Sequence, residues 1–297
     1  MVDATTQLNA TGAISPTQQL LRRFLRHRLA VCGTLMLVII TTFSIIIPFF
    51  LQDPNRVDLR AVQKSPSSAH ILGTDLSGRD VLARLITGTR TSLIVGFGGV
   101  AVYVSIGILV GTLAGFFGGA LDQLLMRLTD TVLSIPTLLL VIIFVSVIGP
   151  SLASVIGVIG LLGWPQVARI VRGQLLSLRQ AEFVTASRAV GAESWRILIR
   201  HLLPNIMGPI SVASTFGVAS SILLEAALSF LGLGVRAPNP SLGIMINEAR
   251  APSVLHDVPW LWLPPGIIIA ITVLSVNFIG DGIRDALDPR SKRRVQL

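Results

Sequence analysis

The sequence predicts an all-α protein that crosses a membrane about six times. Hydrophobic residues make up 52% of the chain and charged residues only 13%, whereas a soluble domain carries about a quarter charged residues. Several mostly apolar runs reach the roughly 18 residues that a transmembrane helix needs. Lysines and arginines gather at the ends of these runs, which is typical of polytopic membrane proteins.

Six apolar runs are predicted to be the membrane spans. The first would extend about 33 Å as a helix, which is enough to cross the hydrocarbon core. The predicted spans are residues 29–50, 92–115, 131–148, 152–168 (with an extension toward Leu176 left open), 206–231 and 263–280. The predicted organisation is therefore a basic N-terminal segment (1–28), a six-helix membrane domain (29–280) and a C-terminal tail (281–297).

The distribution of positive charge predicts the orientation of the chain. With the N-terminus in the cytoplasm, 16 of the 24 lysines and arginines fall in cytoplasmic segments, as the positive-inside rule requires. An even number of spans then places both termini in the cytoplasm. The net charge of +9 does not indicate a nucleic-acid partner, because the arginines flank apolar runs instead of forming one patch. The single cysteine, Cys32, excludes a disulfide within the chain.

A polar segment, residues 179–205, separates the fourth and fifth predicted spans. Gly191 at its middle is predicted to break the helix, since glycine tolerates positive φ. Beyond Gly191 the apolar residues recur at helical spacing and predict one face of a helix, made of Trp195, Leu198, Ile199 and Leu202. Pro204 lacks an N–H and therefore suits the first turn of the next helix. The polar segment is thus predicted to form helix, elbow and helix at the membrane surface.

The pattern of the polar segment resembles the cytoplasmic coupling loop of ATP-binding-cassette importer permeases. That loop has Glu-Ala-Ala, then Gly after three residues, then Ile-x-Leu-Pro after nine more. Thr185-Ala186-Ser187, Gly191 and Leu203-Pro204 stand at these places, with Thr185 instead of glutamate and His201 instead of isoleucine. By this resemblance, contacts with an ATPase are expected at Glu182, Thr185, Ala186, Ser187, Arg188, Gly191, Arg196, Leu203 and Pro204.

Three further stretches resemble the peptide/nickel branch of these permeases. They are GTDLSGRDVLARLITG at 73–88, EAALSFLGLG at 225–234 and NFIGDGIRDALDPR at 277–290. In the first stretch, the spacing predicts an amphipathic helix lying at the membrane interface, with Arg79, Asp80 and Arg84 on its polar face. The resemblance covers residues 73–290 and implies the type I importer permease fold and the second, C-type, permease subunit.

The same resemblance implies partners and cargo. A subunit of this kind pairs with a homologous permease as a heterodimer, with two ATP-binding subunits and with an extracytoplasmic substrate-binding protein. It lies in the bilayer of the plasma (inner) membrane. Peptides, either di- or oligopeptides, are the first expected cargo, and nickel or another small solute is the alternative.

Glu225 is the only acidic residue in the fifth apolar run. A carboxylate inside a membrane is costly unless it is paired, protonated or facing water. Two interpretations stay open at this point. Glu225 is either a polar site on the translocation pathway or a structural hydrogen-bond acceptor. An ion-coupled secondary transporter with Glu225 as its proton site is the alternative function.

Catalytic machinery is not indicated by the sequence. The four histidines have no metal-ligand spacing, and neither Lys64 nor Lys292 follows a glycine-rich phosphate loop. We therefore expect a non-catalytic membrane subunit with no cofactor or metal site. If transport is driven by ATP, hydrolysis belongs to partner subunits.

Overall fold

The computed structural model describes residues 16–236 and 239–288. Within these ranges the chain consists of helices and loops, which confirms the predicted all-α class. The helices are α1 (Pro16–Arg26), α2 (Arg28–Ile46), α3 (Val81–Phe117), α4 (Gly119–Leu133), α5 (Thr137–Ile148), α6 (Leu152–Leu178), α7 (Glu182–Ala189), α8 (Ser194–Ile197), α9 (Leu203–Phe230), α10 (Leu242–Glu248), α11 (Pro252–Asp257) and α12 (Leu263–Leu287). Residues 1–15 of the predicted N-terminal segment and residues 289–297 of the predicted tail lie outside the described part.

Five helical stretches in the described part are long and apolar enough to cross a membrane. They are Arg28–Phe49, Val81–Phe117, Leu152–Leu178, Ser194–Phe230 and Pro259–Leu287, and they cover five of the six predicted spans to within one residue at the end. Two of these stretches have 37 residues each, which corresponds to about 55 Å of helix. These two helices therefore extend well beyond a hydrocarbon core of about 30 Å.

The third predicted span, 131–148, is broken into two helices. α4 and α5 meet at 85°, and the pair counts as a sixth span only if both pieces are taken together. Pro136 stands immediately before α5 as its N-cap. Proline has no N–H to donate and disfavours a helical residue before it, so the helix stops at this point. The 12 residues of α5 extend only about 18 Å.

The centre of the bundle is the long contact between α3 and α6. Glycines on α3 let the two backbones approach closely, which is how transmembrane helices gain packing energy. A Cβ atom at Gly107 would lie 2.5 Å from Cβ of Val167, and one at Gly111 would lie 2.6 Å from the carbonyl oxygen of Ala168. These positions therefore exclude any larger residue unless the helices separate.

Each end of the α3–α6 pair carries its own packed cluster. At the start of α3, Val81 and Leu85 pack with apolar residues of α10 and the α11–α12 region; we call this the α10 end. At the other end, Leu175 of α6 packs with Val184 of α7 and Ile197 of α8; we call this the polar-segment end. The polar segment is thus attached to the same helices that run through the bundle to the α10 end.

Candidate functional site

The polar segment folds as helix, elbow and helix. α7 ends at Ala189, and Gly191 follows with φ of +81°. The N–H of Gly191 donates to the carbonyl of Arg188 (2.9 Å), and the N–H of Ala192 donates to the carbonyl of Ser187 (3.1 Å). This pair of bonds is the Schellman arrangement, in which glycine takes the left-handed position that closes a helix. The elbow therefore results from Gly191 and the two hydrogen bonds beside it, and not from contacts with distant parts of the chain.

Pro204 stands in the first turn of α9, as predicted, but no break in the helix precedes it. The helix runs without a break from Ser194 to Phe230. A π-turn, Leu198–Leu202, directly precedes Pro204, and the N–H of Leu203 donates to the carbonyl of Leu198. Such a turn bonds each N–H one residue further back than an α-turn does. The second half of the polar segment is therefore continuous with a membrane-spanning helix.

The predicted apolar face of this second half is only partly buried. Leu198 and Leu202 are buried together with Ile197, whereas Trp195 is 63% and Ile199 47% exposed. Trp195 precedes the π-turn that starts at Leu198, and Ile199 lies within it. Both side chains remain uncovered by the rest of the described chain.

The exposed apolar side chains of the polar segment form a surface that sequence reasoning missed. We call it the apolar docking face and define it as Phe183, Val190, Trp195 and Ile199, all exposed. The aromatic ring of Phe183 lies 6.4 Å from the imidazole of His201, which joins α7 to the π-turn. Two large apolar residues, Phe183 and Val190, within a polar run are the sequence signal that could have indicated it.

The residues expected to contact an ATPase lie on both sides of the elbow. Most of them are exposed on α7, at Gly191 and on α8, while Ser187 and Leu203 are half-buried. Pro204 is exposed at the beginning of α9, beyond the π-turn. The structure thus brings the set to one end of the bundle, with Leu203 and Pro204 set back toward the membrane-spanning part.

Buried anchors connect this surface to the bundle. Val184 and Ile197 belong to the same packed cluster as Leu175 of α6. The guanidinium of Arg179 donates to the carbonyl of Gly115 at the end of α3 (3.0 Å). Arg172 holds Asp122 of α4 by two bonds of 2.5 and 2.7 Å, and such forked pairing fixes orientation as well as distance. The polar segment is therefore fastened to α3 and α6, and α6 is fastened in turn to α4.

Glu225 of α9 is fully buried and accepts two hydrogen bonds. The hydroxyl of Ser92 on α3 donates to Oε2 (2.7 Å), and the hydroxyl of Ser229 donates to Oε1 (2.7 Å). Ser241 donates to the Ser229 hydroxyl (3.2 Å), and the N–H of Leu242 donates to the Ser92 hydroxyl (3.4 Å). This Glu225 cluster therefore joins α3, α9 and the start of α10.

A cavity of 510 Å³ lies between α3, α6 and α9, beside the α4–α5 pair. Its polar groups are hydroxyls and one amide, and none of the lining residues carries a charge. The polar lining residues are Tyr103, Thr137, Gln166, Ser220 and Ser221. Glu225 is not among the lining residues. Sequence analysis did not single out Gln166, although an amide inside an apolar run is a signal.

The stretch predicted to be an interfacial helix is instead the beginning of α3. α3 starts at Val81, capped by Asp80, and Arg84 is only 2% exposed. Arg84 contacts Asp75, and its Nη2 lies 3.0 Å from Oε1 of Glu248 on α10. Arg79 reaches the same two carboxylates at 2.6 and 3.0 Å. We call these four residues the ion cluster; it fastens the loop before α3 to α10.

Comparison with known proteins agrees with this architecture. The chain superposes on a chain of the MetNI methionine ABC transporter in an inward-facing conformation, with a TM-score of 0.58 over 70% of this chain and 98% of that one. At 22% sequence identity, the likeness shows the fold alone. It confirms the predicted type I importer permease fold.

Sequence comparison gives the family. Residues 107–293 match the binding-protein-dependent transport system inner membrane component family, and residues 15–66 match the N-terminal transmembrane domain of oligopeptide transport permease C. The second match extends the resemblance into the basic N-terminal part, which sequence reasoning had left outside it.

Relatives that match this chain over most of their own length support the same family. A putative peptide permease protein of Brucella suis is 43% identical over 95% of this chain and 93% of its own. The dipeptide transport system permease protein of Alkalihalophilus pseudofirmus is 39% identical over 94% and 92%. The oligopeptide transport system permease protein of Bacillus subtilis is 39% identical over 91% and 88%. The chain therefore belongs to the inner membrane components of binding-protein-dependent transport systems, in the dipeptide and oligopeptide permease branch of the ATP-binding-cassette importers.

Proposed function

We propose that this chain is one of two permease subunits of an ATP-driven, binding-protein-dependent importer of di- or oligopeptides. The names of relatives that match more than nine-tenths of the chain support the cargo class. In this proposal the chain pairs with a homologous permease, two ATP-binding subunits and an extracytoplasmic binding protein. Hydrolysis of ATP takes place in the ATP-binding subunits.

The observation that carries the proposal is the form of the polar segment. It presents an exposed apolar docking face beside exposed polar residues such as Glu182 and Arg188, while Val184 and Ile197 anchor it in the bundle. Apolar side chains surrounded by polar ones are typical of a protein–protein contact. We assign this surface to a groove on one ATP-binding subunit. The elbow at Gly191 sets the angle between α7 and α8 in that groove.

The proposed coupling is a shift between two states of the permease pair. ATP draws the two ATP-binding subunits together. Each of them moves the polar segment of the permease subunit that is bound in its groove. Because Ser194–Phe230 is one continuous helix, a displacement of α8 moves α9 as well. A ligand moves such an equilibrium only by its preference for one state, and here the nucleotide-bound ATPase pair is that ligand.

The proposed orientation places the polar segment and both termini in the cytoplasm. The α10 end then faces the extracytoplasmic binding protein. The excess of lysines and arginines in the segments assigned to the cytoplasm supports this orientation.

The cavity between α3, α6 and α9 is the proposed contribution of this subunit to the pathway. Its uncharged hydroxyls and amide can exchange hydrogen bonds with peptide groups of any sequence. Charged side chains would favour one class of cargo and retain it, whereas neutral hydrogen-bonding groups allow release. This chemistry suits a conduit whose selectivity is set by the binding protein.

Reconstitution tests the proposed function. The chain is placed in liposomes with its partner permease, ATP-binding subunits and binding protein, and uptake of a dipeptide, a longer peptide and nickel is compared. We expect uptake of peptide that requires both ATP and the binding protein. Uptake of nickel without uptake of peptide would show that the proposed cargo is wrong, while the proposed ATP-driven mechanism would still hold. Uptake that continues without ATP would contradict the importer mechanism.

The ion-coupled alternative is tested at Glu225. Glutamine keeps the size of the side chain and one acceptor oxygen, so Glu225→Gln is expected to retain ATP-driven uptake within about fivefold, since one hydrogen bond contributes roughly 1 kcal/mol. Glu225→Ala leaves the hydroxyls of Ser92 and Ser229 without their acceptor and is expected to lower the yield of folded protein. If Glu225→Gln abolishes uptake, and an uncoupler does the same to the wild type at constant ATP, the proton-site interpretation is correct instead.

A further inference from the structure

A second space, a groove of 730 Å³, lies between α9 and α12. Pro204 and Asn205 line it from the beginning of α9, and Leu287 and Asp288 line it from the end of α12. Pro204 directly follows the π-turn of the polar segment. The α9–α12 groove therefore opens at the polar-segment end of the bundle.

The α9–α12 groove and the cavity between α3, α6 and α9 share part of their walls. Ala213 of α9 and Ile170 of α6 line both spaces. Along α9 the groove extends from Pro204 to Ala213, and the cavity extends from Ala213 to Leu224. This length of helix corresponds to about 30 Å, and the hydrocarbon core of a bilayer is also about 30 Å thick. The two spaces thus follow one another over the depth of a membrane.

The two spaces differ in charge. The residues that line the cavity are uncharged, whereas the groove is lined by Arg284 and Asp288. Both side chains are exposed, and among the described residues Arg284 makes no ion pair. The N–H of Asp288 donates to the carbonyl of Arg284 (3.1 Å). Residues with this helical spacing lie on one face, with Cβ atoms about 5–6 Å apart.

We propose that Arg284 and Asp288 receive the charged ends of a peptide as it leaves the cavity, with the carboxylate on Arg284 and the ammonium on Asp288. This inference rests on the proposed function, since it takes a peptide as the cargo. A guanidinium donates two parallel hydrogen bonds to a carboxylate. The two ends of an extended dipeptide are about 7 Å apart, which is similar to the spacing of the two side chains on α12.

The exposure of both charged side chains suits release of the cargo. Ion pairs in contact with water are weak, so Arg284 and Asp288 attract the ends of a peptide without retaining it. The uncharged cavity has no preference for either end. The groove is therefore the part of the path in which this chain distinguishes a zwitterion from a neutral solute.

The first experiment measures whether the two charges face the path from the cavity. The intact importer is placed in lipid nanodiscs without nucleotide. Cys32→Ser removes the single cysteine of this chain, and Ser220→Cys places a thiol in the cavity. A negatively and a positively charged methanethiosulfonate of similar size are added separately, and modification of this chain is followed by its mass. The ratio of the anionic rate to the cationic rate is compared among variants, so the reactivity of the thiol itself cancels.

Arg284→Gln should lower this ratio by about fivefold, since a unit charge about 8 Å from the path in water changes the two rates in opposite directions. Asp288→Asn should raise the ratio, and Arg284→Lys should keep it. An unchanged ratio in Arg284→Gln would overturn the proposal.

Arg22→Gln is the matched control. Arg22 is an exposed cation on α1 that lines neither space, and its neighbour Arg23 donates to the carbonyl of Ala286 on α12 (3.2 Å). The variant therefore removes the same charge at the same end of the bundle. It should leave the ratio near that of the wild type. A fall equal to that of Arg284→Gln would show a general effect of surface charge and would contradict a role for Arg284 on the path.

Ala213→Phe tests the connection between the two spaces. The larger side chain should slow modification of Ser220→Cys by both reagents. It should leave modification of Asn205→Cys, in the groove, unchanged. If Ser220→Cys reacts equally fast with and without Ala213→Phe, the reagents reach the cavity by another route and the proposed path is wrong.

Dipeptide uptake separates this inference from the function on which it rests. Arg284→Gln should lower the maximal rate by about twofold, since one attraction of a unit charge about 8 Å away is lost. It should leave KM unchanged, because the binding protein is unaltered, and Arg284→Lys should restore the rate. A changed KM with an unchanged maximal rate, or loss of the ATP-binding subunits from purified Arg284→Gln, would overturn the proposal. If the wild type carries no peptide, the proposed function fails, while the thiol measurement still decides whether the two charges face the path.

Discussion

Gly191→Arg is expected to abolish ATP-driven uptake while the protein still inserts and folds. Gly191 has φ of +81°, and no heavy atom lies within 4 Å of a Cβ built on it. The substitution therefore adds backbone strain of about 1–2 kcal/mol but no steric clash in the isolated chain. The strain acts on the elbow that sets the angle of α7 and α8, and the guanidinium extends into the proposed ATPase contact. Uptake in proteoliposomes and membrane yield are the two measurements.

Gly232→Arg is the matched control for this experiment. Gly232 is exposed, has φ of +80° and also has no heavy atom within 4 Å of a built Cβ, but it lies at the α10 end. The two variants add the same backbone strain and the same charge. A difference in uptake between them therefore depends on where the arginine is introduced. We expect Gly232→Arg to transport at a rate near that of the wild type. Gly191→Ala, which adds strain with little bulk, should fall between the two. Wild-type uptake by Gly191→Arg would contradict the proposed role of the elbow.

Arg84→Ala is expected to destabilise the α10 end by about 3–5 kcal/mol, because the two carboxylates of the ion cluster are then left with Arg79 as the cluster's one remaining cation. Arg84 is buried, as is Asp75, and it bridges Asp75 and Glu248, two carboxylates on different elements. Arg84→Lys should also be costly, because an ammonium lacks the fork that reaches both carboxylates. Thermal unfolding followed by tryptophan fluorescence is suited to the measurement. The indole of Trp260 donates to the carbonyl of Thr74 (3.4 Å), next to the cluster.

Arg90→Ala provides the comparison on the same helix. Arg90 is exposed, and a surface substitution of this kind usually changes stability by less than about 0.5 kcal/mol. Equal unfolding midpoints for Arg84→Ala and Arg90→Ala would show that the ion cluster contributes nothing to stability. If only Arg84→Ala lowers the unfolding midpoint, and peptide uptake falls in proportion to the amount of folded protein, the ion cluster has a structural role and no direct role in translocation.

The elements with a local cause were predictable from the sequence. The apolar runs gave five membrane-crossing helices, because length and composition alone decide whether a helix can cross a bilayer. Gly191 was expected to end a helix, and its left-handed φ is the reason that it does. The spacing of Thr185, Gly191 and Pro204 indicated the family that the relatives share.

Elements that depend on a second part of the chain could not be predicted in this way. Sequence placed Arg84 on an exposed polar face, yet Glu248, 164 residues away, holds it in the interior. Sequence left two roles open for Glu225, and its partner Ser92 lies 133 residues away. The sequence also did not show which apolar side chains of the polar segment remain uncovered, such as those of Trp195 and Ile199.

The sequence by itself therefore determined the membrane class, five of the spans, the elbow and the family. These follow from composition, local backbone preferences and short motifs, which need no knowledge of distant contacts. Only the tertiary structure decided which polar groups are buried, where the third predicted span breaks by 85°, and which apolar residues remain uncovered. The physical reason is that a buried charge or hydroxyl is stable only beside a partner, and the fold alone brings that partner near.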